Sequence, residues 1–129
     1  MPLPPACLPA LRATGDAAVD TTMAEVKQYC VILTTCSNRE EAERLARLLV
    51  ESRLAACVQM TGVTSFYEWD GALNRDDEQL LLIKAPSASY GKIEEFISRN
   101  HSYDVPEIIR VPVTAGSEAY LNWIDAVTE

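Results

Sequence analysis

The chain has little of what most enzymes are built from. It holds five glycines in 129 residues and a single histidine, His101. With so few glycines no loop can cradle a phosphate, and neither a Gly-x-Gly-x-x-Gly nor a Walker pattern occurs. No Ser/His/Asp set falls at a familiar spacing, and a Cys36–His101 nucleophile pair would lack both an orienting third group and an oxyanion hole. The chain is read as non-enzymatic. A basic stripe is also missing: 11 lysines and arginines stand against 19 acids, for a formal net charge of −8. That balance excludes nucleic-acid phosphates as a partner, because they demand clustered cations. No segment reaches the roughly 18 consecutive apolar residues of a membrane span. The four cysteines, Cys7, Cys30, Cys36 and Cys57, form no Cys-x-x-Cys and no zinc-ribbon spacing. Small unpaired thiols suit a reducing compartment, so the protein is read as cytoplasmic.

What remains is enough for one domain with its own core, since 48% of the residues are hydrophobic and 23% charged. Residues 1–27 stand apart. Pro2, Pro4, Pro5 and Pro9 break any apolar stretch and Arg12 follows it, which argues for a disordered tail rather than an export signal. Met23 offers an alternative start. Residues 28–129 are read as the single domain.

Within that domain, Tyr29–Thr35 is an apolar β-branched run, hence a strand. Ser37 with Glu40 has a capping-box pattern opening a helix to about Arg53, with Ala42, Leu45, Ala46 and Leu49 on one face. Two extended arms, residues 55–69 and 72–85, flank Asp70-Gly71, a type I′ turn signal. At about 3.3 Å per residue such a hairpin is ~50 Å long, more than two small helices can cover. Either it bends at Gly62 and Asp76 or its far end packs on another subunit. A second helix over 89–100 and a strand over 107–113 follow, with Pro112 restricting that strand to a sheet edge or a bulge. A last helix is capped at Gly116-Ser117 and buries Tyr120, Ile124 and Val127. The order is βαββαβ plus a helix, an α+β, ferredoxin-like split sandwich with a long hairpin.

Three places carry chemistry. Alternation puts Ser65, Tyr67 and Trp69 on one face near the hairpin tip, and bare aromatics there mark a contact surface. His101 closes the second helix, where the helix dipole favours it, and leads through Tyr103 and Pro106 to Glu107; the segment is either a ligand site or a structural hinge. Cys36 precedes a helix N-terminus, a position that lowers a thiol's pKa. A metal site drawn from His101, Cys36 and Glu107 is therefore considered beside a purely structural role.

Arg53-Leu54-Ala55-Ala56-Cys57-Val58, Ser65-x-Tyr67-x-Trp69-x-Gly71, Lys84, His101-x-Tyr103-x-Val105-Pro106-Glu107 and Tyr120-Leu121-x-Trp123 resemble the CutA divalent-cation tolerance proteins, from about Gln28 to Val127. The resemblance implies a ferredoxin-like fold, a homotrimer intertwined through its long strands, and a role in tolerance to divalent metals, copper(II) above all, at a weak site. It makes Ser65, Tyr67, Trp69, Tyr103 and Trp123 the expected subunit interface. This chain departs from the family in having Ser102 where proline is usual, a change expected to loosen the turn. Ala85 stands where threonine is usual, and Thr34 and Asn100 where copper-ligating members have cysteine and histidine. The fold also resembles that of the PII signalling proteins, which makes Lys84 an anion-binding candidate in a rival reading, a small-molecule regulator. A trimeric scaffold for a further protein partner is the third.

Overall fold

The computed structural model describes residues 26–129; the expected tail up to residue 25, with Cys7 and Met23, lies outside them. Four strands and three helices follow in the order β1 (Tyr29–Cys36), α1 (Arg39–Glu51), β2 (Cys57–Trp69), β3 (Ala72–Pro86), α2 (Tyr90–Asn100), β4 (Ile109–Val113) and α3 (Glu118–Val127). A single 3-10 turn, Ser87–Ser89, leads into α2. The sheet order is β2-β3-β1-β4 and every pairing is antiparallel, the ferredoxin-like arrangement with an added helix. Pro112 sits on β4, an edge strand paired only to β1, where a missing N–H costs least.

Alternation along β1 and β3 separates two faces. Cys30, Ile32, Leu81, Ile83 and Ala85 turn to one side and meet Leu45 and Leu49 of α1 with Ile93 and Ile97 of α2, forming the main core. Each of these large aliphatic side chains is withdrawn from water, worth roughly 2 kcal/mol apiece. The opposite face carries Val31, Leu33, Leu80 and Leu82, all only half-buried. At one end of it α3 packs Ile124 against Tyr29 and Ala56, with Tyr120 and Trp123 alongside. The rest of that face has no cover among the described residues.

The hairpin is an unbroken ladder. Its rungs run without a bulge from Cys57–Lys84 to Trp69–Ala72, through Gly62–Gln79 and Ser65–Asp76, so no break in pairing marks either position offered for a bend. The turn uses Asp70 at φ 57° and Gly71 at φ 80°, the positive pair that a type I′ connection requires. Because β1 ends at the Cys36–Gln79 rung, the rungs from Val63–Glu78 outward project beyond the third strand. Phe66 (65% exposed), Trp69 (59%) and Leu73 (77%) stand on that projection.

The start of α1 differs from expectation by one residue. Asn38, not Ser37, is the N-cap: its Oδ1 accepts the Glu41 N–H at 2.8 Å. That shift places Glu41, rather than Glu40, in the third helical position, where it takes on another task.

Candidate functional site

The end of α2 meets the end of β1 and the start of α1. His101 leaves α2 in extended conformation and its side chain is completely inaccessible. Its Nε2 lies 2.7 Å from the Thr35 carbonyl oxygen, and its Nδ1 lies 3.0 Å from the Tyr103 amide nitrogen. A carbonyl only accepts and an N–H only donates, so the ring is the neutral Nε2–H tautomer with both nitrogens engaged. The Cys36 Sγ is 3.9 Å from Nε2, and Glu41 Oε2 is 3.7 Å from Nδ1.

Ser102 does not loosen this turn. Its N–H donates to Glu41 Oε2 at 2.9 Å and its hydroxyl to Glu41 Oε1 at 3.0 Å. A proline at that position would have no N–H to offer. Burial opposes the Glu41 charge, yet the two Ser102 bonds, with a third contribution from Ser37, outweigh it and hold the carboxyl below its ordinary value. A depressed carboxyl stabilises the fold above the ordinary carboxylate range, and that contribution disappears as pH falls through the depressed value. Glu41→Gln is expected to cost about 2 kcal/mol at neutral pH and to flatten the loss of stability on acidification. Urea melts at pH 7 and at about pH 3 check this; parallel pH dependence in the variant and the parent protein would contradict it.

Cys36 reverses its expectation. The thiol is fully buried, and burial, followed by the Glu41 charge, pushes it up to about 12 rather than down. The cap lies beyond it and desolvation outweighs any helix-terminus effect. As a nucleophile it is unassisted, because the facing Nε2 carries a proton committed to Thr35.

Cys36, Glu41 and His101 bring one donor atom each to within 4.8 Å of one another, the only such group among the described residues. Glu107 is not in it. That residue is exposed and lines a cavity instead, and Glu41 occupies the place expected of it. By type the three donors suit a borderline cation. By state they do not fit a resident ion as they stand: neither ring nitrogen has a free lone pair, burial disfavours the thiolate, and the carboxylate already accepts two bonds from Ser102. The arrangement is a closed hydrogen-bonded latch tying α1, α2 and β1.

A second constellation sits on the other side of β1. Glu78 is 9% exposed and accepts the Ser65 hydroxyl at Oε1 and the Tyr103 hydroxyl at Oε2, both at 2.6 Å. Burial, then the Glu78 hydrogen bond and charge, drive the Tyr103 phenol upward, so it remains a donor. Tyr67 donates to Asp76 one rung further out. Ser65, Tyr67, Trp69 and Tyr103 thus surround one cavity of about 590 Å³. Trp123 lies elsewhere, its ring 5.6 Å from Tyr120 on α3. Lys84 is also apart, with Nζ donating to Gln59 Oε1 at 2.7 Å and lying 5.9 Å from the Tyr120 ring. Glu41 and Glu78 were missed from the sequence. The one trace of Glu78 was an acid sharing a strand face with Leu80 and Leu82.

This architecture defines a ferredoxin-like α+β protein with a projecting hairpin and one uncovered sheet face. The chain belongs to the CutA1 divalent ion tolerance protein family, whose pattern it matches over residues 30–127. It is 43% identical over 95 residues to the chloroplastic protein CutA of Arabidopsis thaliana, covering 73% of this chain and 52% of that one. The divalent-cation tolerance protein CutA of Thermus thermophilus is 42% identical over 73% of this chain and 92% of its own. The structure of the Thermus protein superposes with a TM-score of 0.76 at 40% identity, over 78% of this chain and 99% of that one. The periplasmic divalent cation tolerance protein CutA of Archaeoglobus fulgidus gives 0.77 at 34% identity, again over 78% and 99%. The chain spans about half the length of the plant and mammalian relatives it matches.

These relatives correct the cytoplasmic expectation. One is chloroplastic and another periplasmic. Cys30, Cys36 and Cys57 are indeed unpaired, but free thiols report redox state and burial, not a cellular address. Among the described residues no helix is long and apolar enough to cross a membrane.

Proposed function

We propose that this chain serves divalent-cation tolerance as a non-enzymatic homotrimer whose contact with metal, copper(II) foremost, is weak and transient. The observation that carries the assembly is the projecting hairpin. Trp69 on its outer rungs shares a face with the aliphatic Val31, Leu33, Leu80 and Leu82, while Phe66 and Leu73 stand bare on the opposite face, and the described residues leave both surfaces uncovered. Exposed apolar surface of this kind marks association, and a copy of the same chain supplies matching strands and edges. The relatives' name supports the cation role. The closed state of Cys36, Glu41 and His101 supports weak rather than resident binding, since a metal would have to strip a proton from the thiol and the Tyr103 N–H from the ring. Lys84, which spends one of its three N–H donors on Gln59, stands apart from both constellations and carries the regulator reading alone.

Native mass spectrometry of the purified chain tests this, with and without one equivalent of copper(II), nickel(II) or zinc(II). The expected result is a three-chain mass that sheds added metal on desalting. A single-chain mass overturns the assembly, and one copper retained per chain overturns the closed latch.

A further inference from the structure

We propose that the cavity at the end of the sheet remote from the hairpin tip is a binding site for a small organic carboxylate. It lies where β3 ends at Pro86 and the 3-10 turn opens α2, bounded also by Arg110 of β4 and the end of α3. Its volume of about 730 Å³ falls within the range of small-molecule sites, roughly 300–1,000 Å³. None of its lining residues belongs to the projecting rungs or to the aliphatic face of Val31, Leu33, Leu80 and Leu82. The contacts proposed for the trimer therefore leave it open.

Three features of the wall call for an anion. The first is the start of α2, which has neither a side-chain cap nor an acid in its first turn. Its positive end faces the cavity across the wall residues Ser87 to Ser89. The second is Ser89. It is 6% exposed and lines the cavity, and its hydroxyl neither caps the helix nor bonds to another described residue. A hydroxyl buried to this degree normally has a partner, and an oxyanion in the cavity supplies the acceptor. The third is Arg110. Its guanidinium carbon lies 5.2 Å from the ring centre of Tyr90, the first residue of α2, and it pairs with no acid among the described residues. Held over that ring, the planar fork keeps its N–H edge for a carboxylate, which it meets with two parallel bonds.

The other wall limits the charge of the ligand. Asp125 accepts the Tyr29 hydroxyl and lies 3.9 Å from the Lys27 ammonium, and Glu129 lies 3.7 Å from Arg53. Both acids are engaged, yet they border the cavity and oppose a second negative charge in it. Val26, Pro86 and Ala88 add small apolar surface for a short alkyl chain. A monoanion with an aliphatic body fits this wall. A phosphomonoester, largely a dianion at neutral pH, fits it less well.

Titration of the intact ¹⁵N-labelled chain by NMR, with 4-methylpentanoate, its neutral counterpart 4-methylpentanamide and methyl phosphate as probes, decides the matter. The carboxylate is expected to bind with a Kd of about 1 mM and to shift the amides of Ala88 to Gly91. The neutral amide should bind at least about tenfold more weakly, and methyl phosphate more weakly than the carboxylate. Arg110→Gln should weaken the carboxylate by about tenfold and Ser89→Ala by about threefold, while Arg110→Lys, which keeps the charge and loses the fork, recovers only part. Leu82→Glu, on the aliphatic face, should bind as the parent protein does, because one chain supplies the whole site. Equal affinity for the carboxylate and the neutral amide would overturn the proposal, leaving only an apolar cleft. So would binding that ignores Arg110→Gln, methyl phosphate binding as tightly as the carboxylate, or no saturable shift up to about 50 mM. Binding by Leu82→Glu but not by the parent protein would also overturn it, by showing that a neighbouring copy closes the cavity.

Discussion

His101→Ala is expected to lower the stability of the folded chain by about 3 kcal/mol, with no metal present. The substitution removes a fully buried ring and leaves two backbone groups without partners, the Thr35 carbonyl and the Tyr103 N–H. A buried polar group stranded in this way costs about 1–3 kcal/mol, and the emptied volume adds a cavity term. The damage spreads because Tyr103 is positioned through His101: its ring lies 4.8 Å from the imidazole, and its hydroxyl anchors Glu78. Denaturant unfolding should show a lower midpoint at unchanged slope. A ligand role alone predicts something different, namely a midpoint within about 0.5 kcal/mol of the parent protein and a change visible only when copper is added. That second pattern would dissolve the latch and restore His101 to the metal hypothesis.

What could be read from the residues follows the range of the forces involved. Local signals were legible. Asp70-Gly71 announced a turn needing two positive φ angles, period-2 and period-3.6 patterns located the strands and helices, and Pro112 marked an edge. The length of the hairpin, weighed against its cover, already posed the choice between a bend and an outside partner. The ladder runs unbroken through both positions where a bend was offered. The site was legible only in part, because its members meet across the fold. Cys36 and His101 are 65 residues apart and still lie side by side. Glu107 was chosen for its nearness in sequence to His101, whereas the acid that reaches the ring, Glu41, comes from the first turn of a different helix. Cys36 was misjudged because a helix N-terminus is visible in a sequence and burial is not; desolvation then decides the sign of its shift. Ser102 was misjudged for a related reason. Losing a proline reads as slack, but the N–H it exposes finds a carboxylate only once α1 and α2 are packed together.

Leu82→Glu should convert the assembled protein into folded single chains. Leu82 lies at the centre of the uncovered face, between Gln59 of β2 and Leu33 of β1, and is half-buried there by its own chain. In an isolated chain a glutamate at that position extends into water and the main core, on the other side of the sheet, is untouched. Pressed against the same face of a copy, the carboxylate is desolvated without a partner, and the three-fold repetition of the contact multiplies the penalty. An unpaired buried charge costs several kcal/mol, so three of them exceed what an interface of ordinary size can spare. The expected outcome is a one-chain mass by native mass spectrometry with unchanged circular dichroism. Because association with other copies stabilises the folded chain in the proposed trimer, the variant should also melt at lower temperature and show less dependence on protein concentration. A three-chain mass retained by Leu82→Glu would show that the aliphatic face is not the contact. The projecting aromatic hairpin would then have to hold the copies together alone.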